Sequence, residues 1–391
     1  MIRHLLKLVW HRRAANLLLA LEIFVSFLVV FPVAGLGLYY WRNARQPLGY
    51  DWRDVSVVTI DRGRREILED AETFERLVRT AEAMPEVRTA AAVTVSPFHT
   101  GTDSRDRDGV YILVSRVTDG FLDAVDLKLV AGRWFGPEDD ALDFEPVVID
   151  RDLALTLWGD EDPIGRPFPV YIREEVEERV VGVVAEFKKD GELAGPGHFA
   201  FYRAPLSGDF QSSLLRQLVL EMEPGFTPAD EERLIERLSA VSPGWTLDMK
   251  PLERQRATAF RMRLIPLLLG GTVALFLLSM VGLGLTGVLW QSITQRTREL
   301  GLRRAMGASR GSVRGQVLLE IALLTALAVG AGLLVVIQLP LFELVGIFDG
   351  LVFTGALVVA VTSIFGLTLL CGLYPSWLAM RVEPAEALRN E

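Results

Sequence analysis

Four stretches of this 391-residue chain are long and apolar enough to cross a lipid bilayer: Leu17–Tyr40, Leu264–Trp290, Val317–Ile337 and Leu351–Met380. An α-helix rises 1.5 Å per residue, so about 20 mostly apolar residues span the hydrocarbon layer. The first stretch contains one charge, Glu22, and the third contains one, Glu320; the other two contain none. A single such run is compatible with a buried core helix. Four of them predict transmembrane helices at 17–40, 264–290, 317–337 and 351–378. A cleaved signal peptide is the alternative for the first. Its apolar run is longer than the roughly 7–15 residues of a signal core. Tyr39, Tyr40 and Trp41 stand where small cleavage-site residues belong, and they read as an interfacial aromatic belt.

Basic residues in short connections set the orientation. Arg3, Lys7, Arg12 and Arg13 precede the first span. Arg296, Arg298, Arg303, Arg304, Arg310 and Arg314 follow the second, and Arg381 and Arg389 lie in the tail. The turn between the last two spans has only Glu343 and Asp349. Both termini, the 291–315 loop and the 379–391 tail are therefore expected in the cytoplasm, with 42–262 as one large extracytoplasmic domain. Within 1–16, Ile2, Leu5, Leu6 and Val9 recur at helical spacing opposite Arg3, Lys7 and His11. That pattern suits an amphipathic helix lying on the inner leaflet; a plain extension of the first span is the simpler alternative.

Charge follows the same division. Residues 42–262 hold 28 basic and 42 acidic side chains, net −14, and the remainder holds 13 and 8, net +5. The overall −9 argues against general nucleic-acid binding. By this sum the outer domain is expected to stand off anionic headgroups.

The outer domain alternates strand-like and helical runs. Strands are expected at Val55–Ile60, Val87–Val95, Val110–Val117, Leu214–Met222 and Trp245–Lys250, with helices at Glu69–Ala83, Asp119–Val125 and Pro228–Val241. This suggests α/β lobes with helices on one sheet face. A proline-punctuated insert at 136–209 would carry strands at Val147–Ile149, Phe168–Ile172 and Arg179–Val184, between porter-like segments 51–135 and 210–262.

Little in it points to chemistry. The lone cysteine, Cys371, excludes an internal disulfide and any CxxC motif. His4, His11, His99 and His198 do not cluster, and no metal site is expected. Asp103, Asp106 and Asp108 before Gly109 lack the spacing and closing Glu of a calcium loop, and are expected as a solvated turn. Glu174, Glu175, Glu177 and Glu178 read as a solvated hairpin tip. Neither GxSxG nor HExxH occurs, so no catalytic residue is expected. GxxxxGK[ST] is also missing; ATP hydrolysis, if the chain's work needs it, falls to another subunit.

Residues 295–309, Gln-Arg-Thr-Arg-Glu-Leu-Gly-Leu-Arg-Arg-Ala-Met-Gly-Ala-Ser, resemble the cytoplasmic loop of FtsX-like, MacB-type ABC transporter permeases. Tyr374-Pro375 and Ala379–Arg389 are similar to that family's ending. Gly132–Phe135, Pro146–Ile149, Gly159–Gly165 and Val180–Val184 resemble its periplasmic core domain. The resemblance implies a four-helix membrane protein with a large extracytoplasmic α/β domain of porter-like and smaller inserted lobes, in a bacterial inner membrane. It implies a permease dimer, of two copies or of paralogues, carrying a cytoplasmic ABC ATPase dimer that binds the ATP, with no cofactor in this chain itself. A periplasmic membrane-fusion adaptor is a further implied partner. Export or efflux is the expected role. A non-transporting transmitter that activates a cell-wall hydrolase, or a lipoprotein-releasing permease, is the alternative. MacB itself carries a fused amino-terminal ATPase that this sequence lacks.

The resemblance assigns ATPase coupling to Arg296, Arg298, Glu299, Leu300, Arg303, Arg304, Met306, Gly307 and Arg310. Physically, Leu300, Arg303, Arg304 and Gly307 follow helical spacing, and guanidinium forks suit carboxylates on a docking subunit. A loop that only enforces topology is the alternative. Gly282, Gly284 and Gly287, with Ala322, Ala326 and Gly330, permit close helix approach, within one subunit or across a dimer. Glu22 and Glu320 are intramembrane carboxylates, suited to pairing with nearby arginines or to a switching role.

Overall fold

The computed structural model describes residues 13–63, 71–107, 109–168, 176–205, 214–295, 306, 309–339 and 348–380. In chain order the elements are α1 (Arg13–Asn43), β1 (Val55–Asp61), α2 (Ala71–Glu82), β2 (Val87–Val93), β3 (Asp103–Arg107), β4 (Val110–Val117), α3 (Phe121–Ala124), β5 (Leu129–Gly132), β6 (Glu145–Asp150), α4 (Arg151–Trp158), β7 (Glu178–Val184), β8 (His198–Arg203), β9 (Gln217–Met222), α5 (Pro228–Val241), β10 (Thr246–Pro251), α6 (Leu252–Gln295), α7 (Arg310–Val336) and α8 (Gly350–Met380). They fall into two compact units, Met1–Tyr39 with Leu264–Glu391, and Tyr40–Arg263.

In the first unit α1, α6, α7 and α8 are each long and apolar enough to span a membrane. All four apolar stretches of the sequence fall on these helices, the third running one residue past the end of α7 to its C-cap Ile337. Leu19, Ile23, Phe27 and Phe31 recur every fourth residue of α1 and are buried with Val281, Leu285, Leu324, Ala356, Ala360 and Ile364. Leu268, Leu275, Leu283, Val358 and Leu370 remain more than 60% exposed. Helices apolar on both the buried and the exposed face fit a lipid solvent. The inner face is closed by small residues. A Cβ on Gly332 would stand 2.5 Å from Phe27, and one on Gly372 2.7 Å from Ile321.

The second unit is one ten-stranded mixed sheet, ordered β10-β1-β9-β2-β4-β8-β6-β7-β5, with β3 on the flank of β4. β2 meets β4 through a single register pair, Val93↔Val117. On one side of that pair, α2 and α5 cover the sheet: Phe74, Leu77, Val78 and Ala81 of α2 and Leu234 and Leu238 of α5 are buried over Val58, Ala90, Leu218 and Leu220. The spacing of three and four residues puts these side chains on one helix face. Thr227 and Asp230 form a capping box, with Pro228 in the first turn, and start α5. On the other side, Leu153 of α4 joins Ile112, Val147, Ile149, Val180 and Tyr202.

Expected and observed elements agree over β1, α2, β2, β4, β6, β7, β9, α5 and β10. Three differences have physical causes. The Asp-rich stretch expected as a solvated turn is the edge strand β3, paired to β4 from Asp103↔Val114 to Arg107↔Val110. Charged side chains are what an edge strand displays to water. Glu178, expected in a solvated acidic tip, is fully buried in β7; Glu177 beside it is exposed and pairs with Arg179 at 2.8 Å. β5, β8 and α4 were not expected. Phe168 lies outside any strand, and 169–172 lie outside the described residues, as do 1–12.

Candidate functional site

Coupling chemistry is expected in the 291–315 loop. Of its assigned residues, Arg296, Arg298, Glu299, Leu300, Arg303, Arg304 and Gly307 lie outside the described residues. Met306 is 73% exposed. Arg310 opens α7, which is capped by Ser309: its Oγ accepts from the Ser312 amide at 3.2 Å.

The intramembrane carboxylates lie around Leu19. Glu22 approaches α6 where Gly284 has no side chain: a Cβ there would stand 3.0 Å from the carboxylate and 3.3 Å from Leu19. Glu320 lines a 40 Å³ cavity with Asn16, Leu19, Leu285 and Ser292. Apolar side chains, Ile321 and Leu324 among them, make up the rest of its lining. Gly284 therefore makes room for Glu22, a local role that small-residue spacing alone does not disclose. Gly282 packs against Cys371, whose Sγ lies 3.3 Å from the Cβ position, whereas Gly287 and Gly330 have nothing within 4 Å. Ala322 is half-buried and Ala326 exposed. The small residues thus divide between packing inside the chain and an open face.

In the outer unit, three of the four motif segments of the sequence converge on β7, which contains the fourth, Val180–Val184. Gly132 of β5 pairs with Gly182, and the Arg133 amide donates to Val181 O at 3.0 Å. Val147–Ile149 run parallel to β7 on its other side. The Gly165 amide donates to Val180 O at 2.8 Å. Trp134 Nε1 donates to Asp119 O at 2.9 Å, and Arg133 pairs with the buried carboxylate of Asp139. These motifs build a scaffold.

Ionic groups are buried inside that scaffold. Arg116 and Glu145, 6% and 8% exposed, pair at 3.0 Å. Tyr202 donates to Glu178 at 2.7 Å, and the Arg116 guanidinium lies 5.3 Å from the Tyr202 ring centre. Burial, then the neighbouring Glu178 charge, pushes the Tyr202 hydroxyl well above its ordinary value, so it stays a donor. Elsewhere, a polar cleft of 380 Å³ is lined by Glu75, Arg79, Glu82, Asp119, Asp140 and Arg203. Arg203 pairs with Asp119 at 2.7 Å and with Asp140. Among the described residues no cluster of His, Cys, Asp and Glu could hold a metal ion.

A third arrangement was not foreseen from the sequence. The loop 186–194 ties together the last turn of α1 and the first turns of α6. Lys188 Nζ donates to Asn43 O at 2.6 Å, and Asn43 Nδ2 to Leu193 O at 3.3 Å. Arg263 pairs with Asp190 at 3.1 Å, Arg256 pairs with Glu192, and Tyr40 OH donates to Arg263 O at 2.8 Å. The loop's Phe187 stacks into an aromatic core with Tyr50, Phe199 and Phe201 at 4.7–5.1 Å. Gly49, at φ +88°, passes so close to the Glu186 carbonyl that a Cβ would collide with it.

Four membrane-length helices and a sheet-rich domain between the first and second of them define a permease-type membrane protein with a periplasmic-type domain. Residues 18–238 match the MacB-like periplasmic core domain and residues 271–384 the FtsX-like permease C-terminal domain, so the chain belongs to the MacB/FtsX-like permease family. It is similar to the macrolide export ATP-binding/permease proteins MacB 1/2 of Paracoccus denitrificans (27% identical, covering 87% of this chain and 49% of that one) and MacB of Bordetella avium (28%, 97% and 58%). The chain thus spans about half the length of the curated relatives it matches. Among solved structures it is similar to the periplasmic region of MacB from Actinobacillus actinomycetemcomitans, at 13% identity and TM-score 0.36, covering 53% of this chain and 93% of that one. It is also similar to the extracellular domain of YknZ from Gram-positive bacteria, at 13% identity and TM-score 0.35, covering 50% and 99%.

Proposed function

We propose that the chain is the permease subunit of an ATP-driven complex of the MacB/FtsX type and couples hydrolysis on a separate cytoplasmic ABC ATPase to movement of residues 42–262 outside the membrane. The observation that carries this is the match to the FtsX-like permease domain over 271–384, which encloses the basic 291–315 loop. On this reading the loop docks the ATPase, the ATPase binds the ATP, and both termini are cytoplasmic. The assembly is a dimer of this chain or of this chain with a paralogue. The likeness to macrolide export proteins supports export or efflux as the role, and a periplasmic membrane-fusion adaptor is a further partner on this reading.

The division of labour has a physical rationale. A cytoplasmic loop rich in arginine offers forked donors that survive desolvation at an interface better than lysine. The chain passes between its two units only at the junctions near 40 and 263. The loop 186–194 holds both of those junctions, so a displacement arriving along either helix reaches the inserted strands through Lys188, Asp190 and Glu192.

Charge reversal tests the assignment. Arg303→Glu with Arg304→Glu is expected to abolish co-purification of the ATPase while membrane insertion is unchanged. An undiminished ATPase in that preparation refutes the docking role.

A further inference from the structure

The first turns of α6 carry Arg254, Arg256, Arg261 and Arg263 against a single acid, Glu253. Residues seven apart share a helix face, and residues two apart lie about 200° from one another. The four arginines therefore form two opposed pairs. Arg256 and Arg263 are neutralised: they pair with Glu192 and Asp190, and Arg256 also lies 4.2 Å over the Trp52 ring. Arg254 and Arg261 are exposed and have no carboxylate partner among the described residues. The Arg261 Nε turns back to its own helix, donating to Ala257 O at 3.2 Å.

The face holding Arg254 and Arg261 continues directly into Ile265 and Leu268, which are 46% and 64% exposed. Phe260 and Met262, 41% and 64% exposed, flank Arg261. At the end of α1 the same layout recurs: Trp41 is 58% exposed, and the Arg45 guanidinium lies 3.7 Å over its ring. A guanidinium at the border of an apolar helix face, beside exposed aromatic rings, is the arrangement that meets phosphate above and acyl chain below. The net −14 of residues 42–262 conceals this collar, because it sums acids from the whole domain.

We propose that Arg254 and Arg261, supported by Arg45 on Trp41, bind the phosphate of anionic membrane lipid at the outer-domain ends of α6 and α1. The helix is thereby held on two sides, by the carboxylates of the 186–194 loop and by lipid headgroups. This goes beyond the permease assignment and does not require an ATPase.

The test uses the full chain in detergent micelles doped with phosphatidylglycerol or with phosphatidylcholine of matched acyl chains, with bound lipid counted by native mass spectrometry. The unmodified chain is expected to prefer phosphatidylglycerol. Arg254→Gln with Arg261→Gln is expected to weaken that binding about 25-fold, from about five-fold per guanidinium, and to leave phosphatidylcholine retention unchanged, which also reports an intact fold. Arg151→Gln with Arg237→Gln removes the same charge from exposed positions on α4 and α5, and is expected to change neither. Equal phosphatidylglycerol binding by the Arg254/Arg261 variant overturns the proposal. An equal loss in the Arg151/Arg237 variant also overturns it, since the effect would then be one of bulk charge.

Discussion

Lys188, 1% exposed, donates its ammonium to the carbonyl of Asn43 at 2.6 Å, the last residue of α1. Burial pushes the Lys188 pKa down, and a second acceptor, Glu192 O at 3.4 Å, completes its surroundings. A lysine in this position satisfies a helix-terminal carbonyl that would otherwise face the domain interior, and it complements the negative end of the helix dipole.

Lys188→Met keeps most of the side-chain length and removes the donor. A hydrogen bond to a charged group contributes about 1.5–3 kcal/mol. Amide exchange at residues 44–46 is therefore expected to accelerate at least ten-fold, measured by hydrogen–deuterium exchange of the full chain, while β1 and β9 keep their protection.

Arg116→Leu leaves Glu145 buried without its paired cation. Breaking one side of a buried ion pair costs about 3–5 kcal/mol. The outer unit is expected to unfold at markedly lower denaturant, monitored by the fluorescence of Trp134 and Trp158. Glu145→Gln, which keeps an acceptor beside Arg116, is expected to cost less than Arg116→Leu in the same assay.

Asp150 caps α4 by accepting from the Leu153 amide at 2.9 Å, and burial pushes its carboxyl well above the ordinary range. At pH values between the unfolded and the folded pKa, the folded state therefore holds a proton that the unfolded chain has released. That contribution to stability is complete below the unfolded pKa and is lost as pH rises through the folded one. Asp150→Asn retains the cap without the ionisation. The variant is expected to be at least as stable as the parent at neutral pH, and the difference is expected to shrink on acidification in thermal melts from pH 7 to pH 4.

Gly330 and Gly332 lie two residues apart on α7 and face opposite surroundings. Gly332→Val is expected to force Phe27 aside at a cost of about 1–3 kcal/mol. Gly330→Ala, with open space at its Cβ position, is expected to leave the melting temperature in detergent within about 1 °C or raise it slightly, as Ala improves helix propensity.

The parts of the fold that sequence revealed are those where burial imposes a period. The i, i+3, i+4 pattern of Phe74, Leu77 and Val78 and the apolar run of β4 were both readable. β3 was hidden because an edge strand needs no apolar face and its Asp residues imitate a turn. β5 was hidden because Leu129–Gly132 is exposed throughout. β8, His198–Arg203, is short and apolar but follows a Gly/Pro-rich stretch that reads as loop. At the candidate sites, the arginines of α6 escaped notice because charge was summed over a domain, whereas their chemistry depends on which helix face each occupies. The clamp by residues 186–194 could not be read at all: Lys188 and Asn43 are 145 residues apart, and no local pattern announces such a meeting.

Val93↔Val117 is where the outer sheet is thinnest. One ladder pair resists folding along that crease poorly, and a sheet alone would flex there like a page at its spine. Beneath it, however, Phe121, Phe187, Phe199 and Phe201 join a single apolar layer with Val93, Val117 and Val219 from both halves. That layer acts as a keel. A load on the neighbouring Lys188 would be shared by both halves through that layer instead of opening the sheet along its middle.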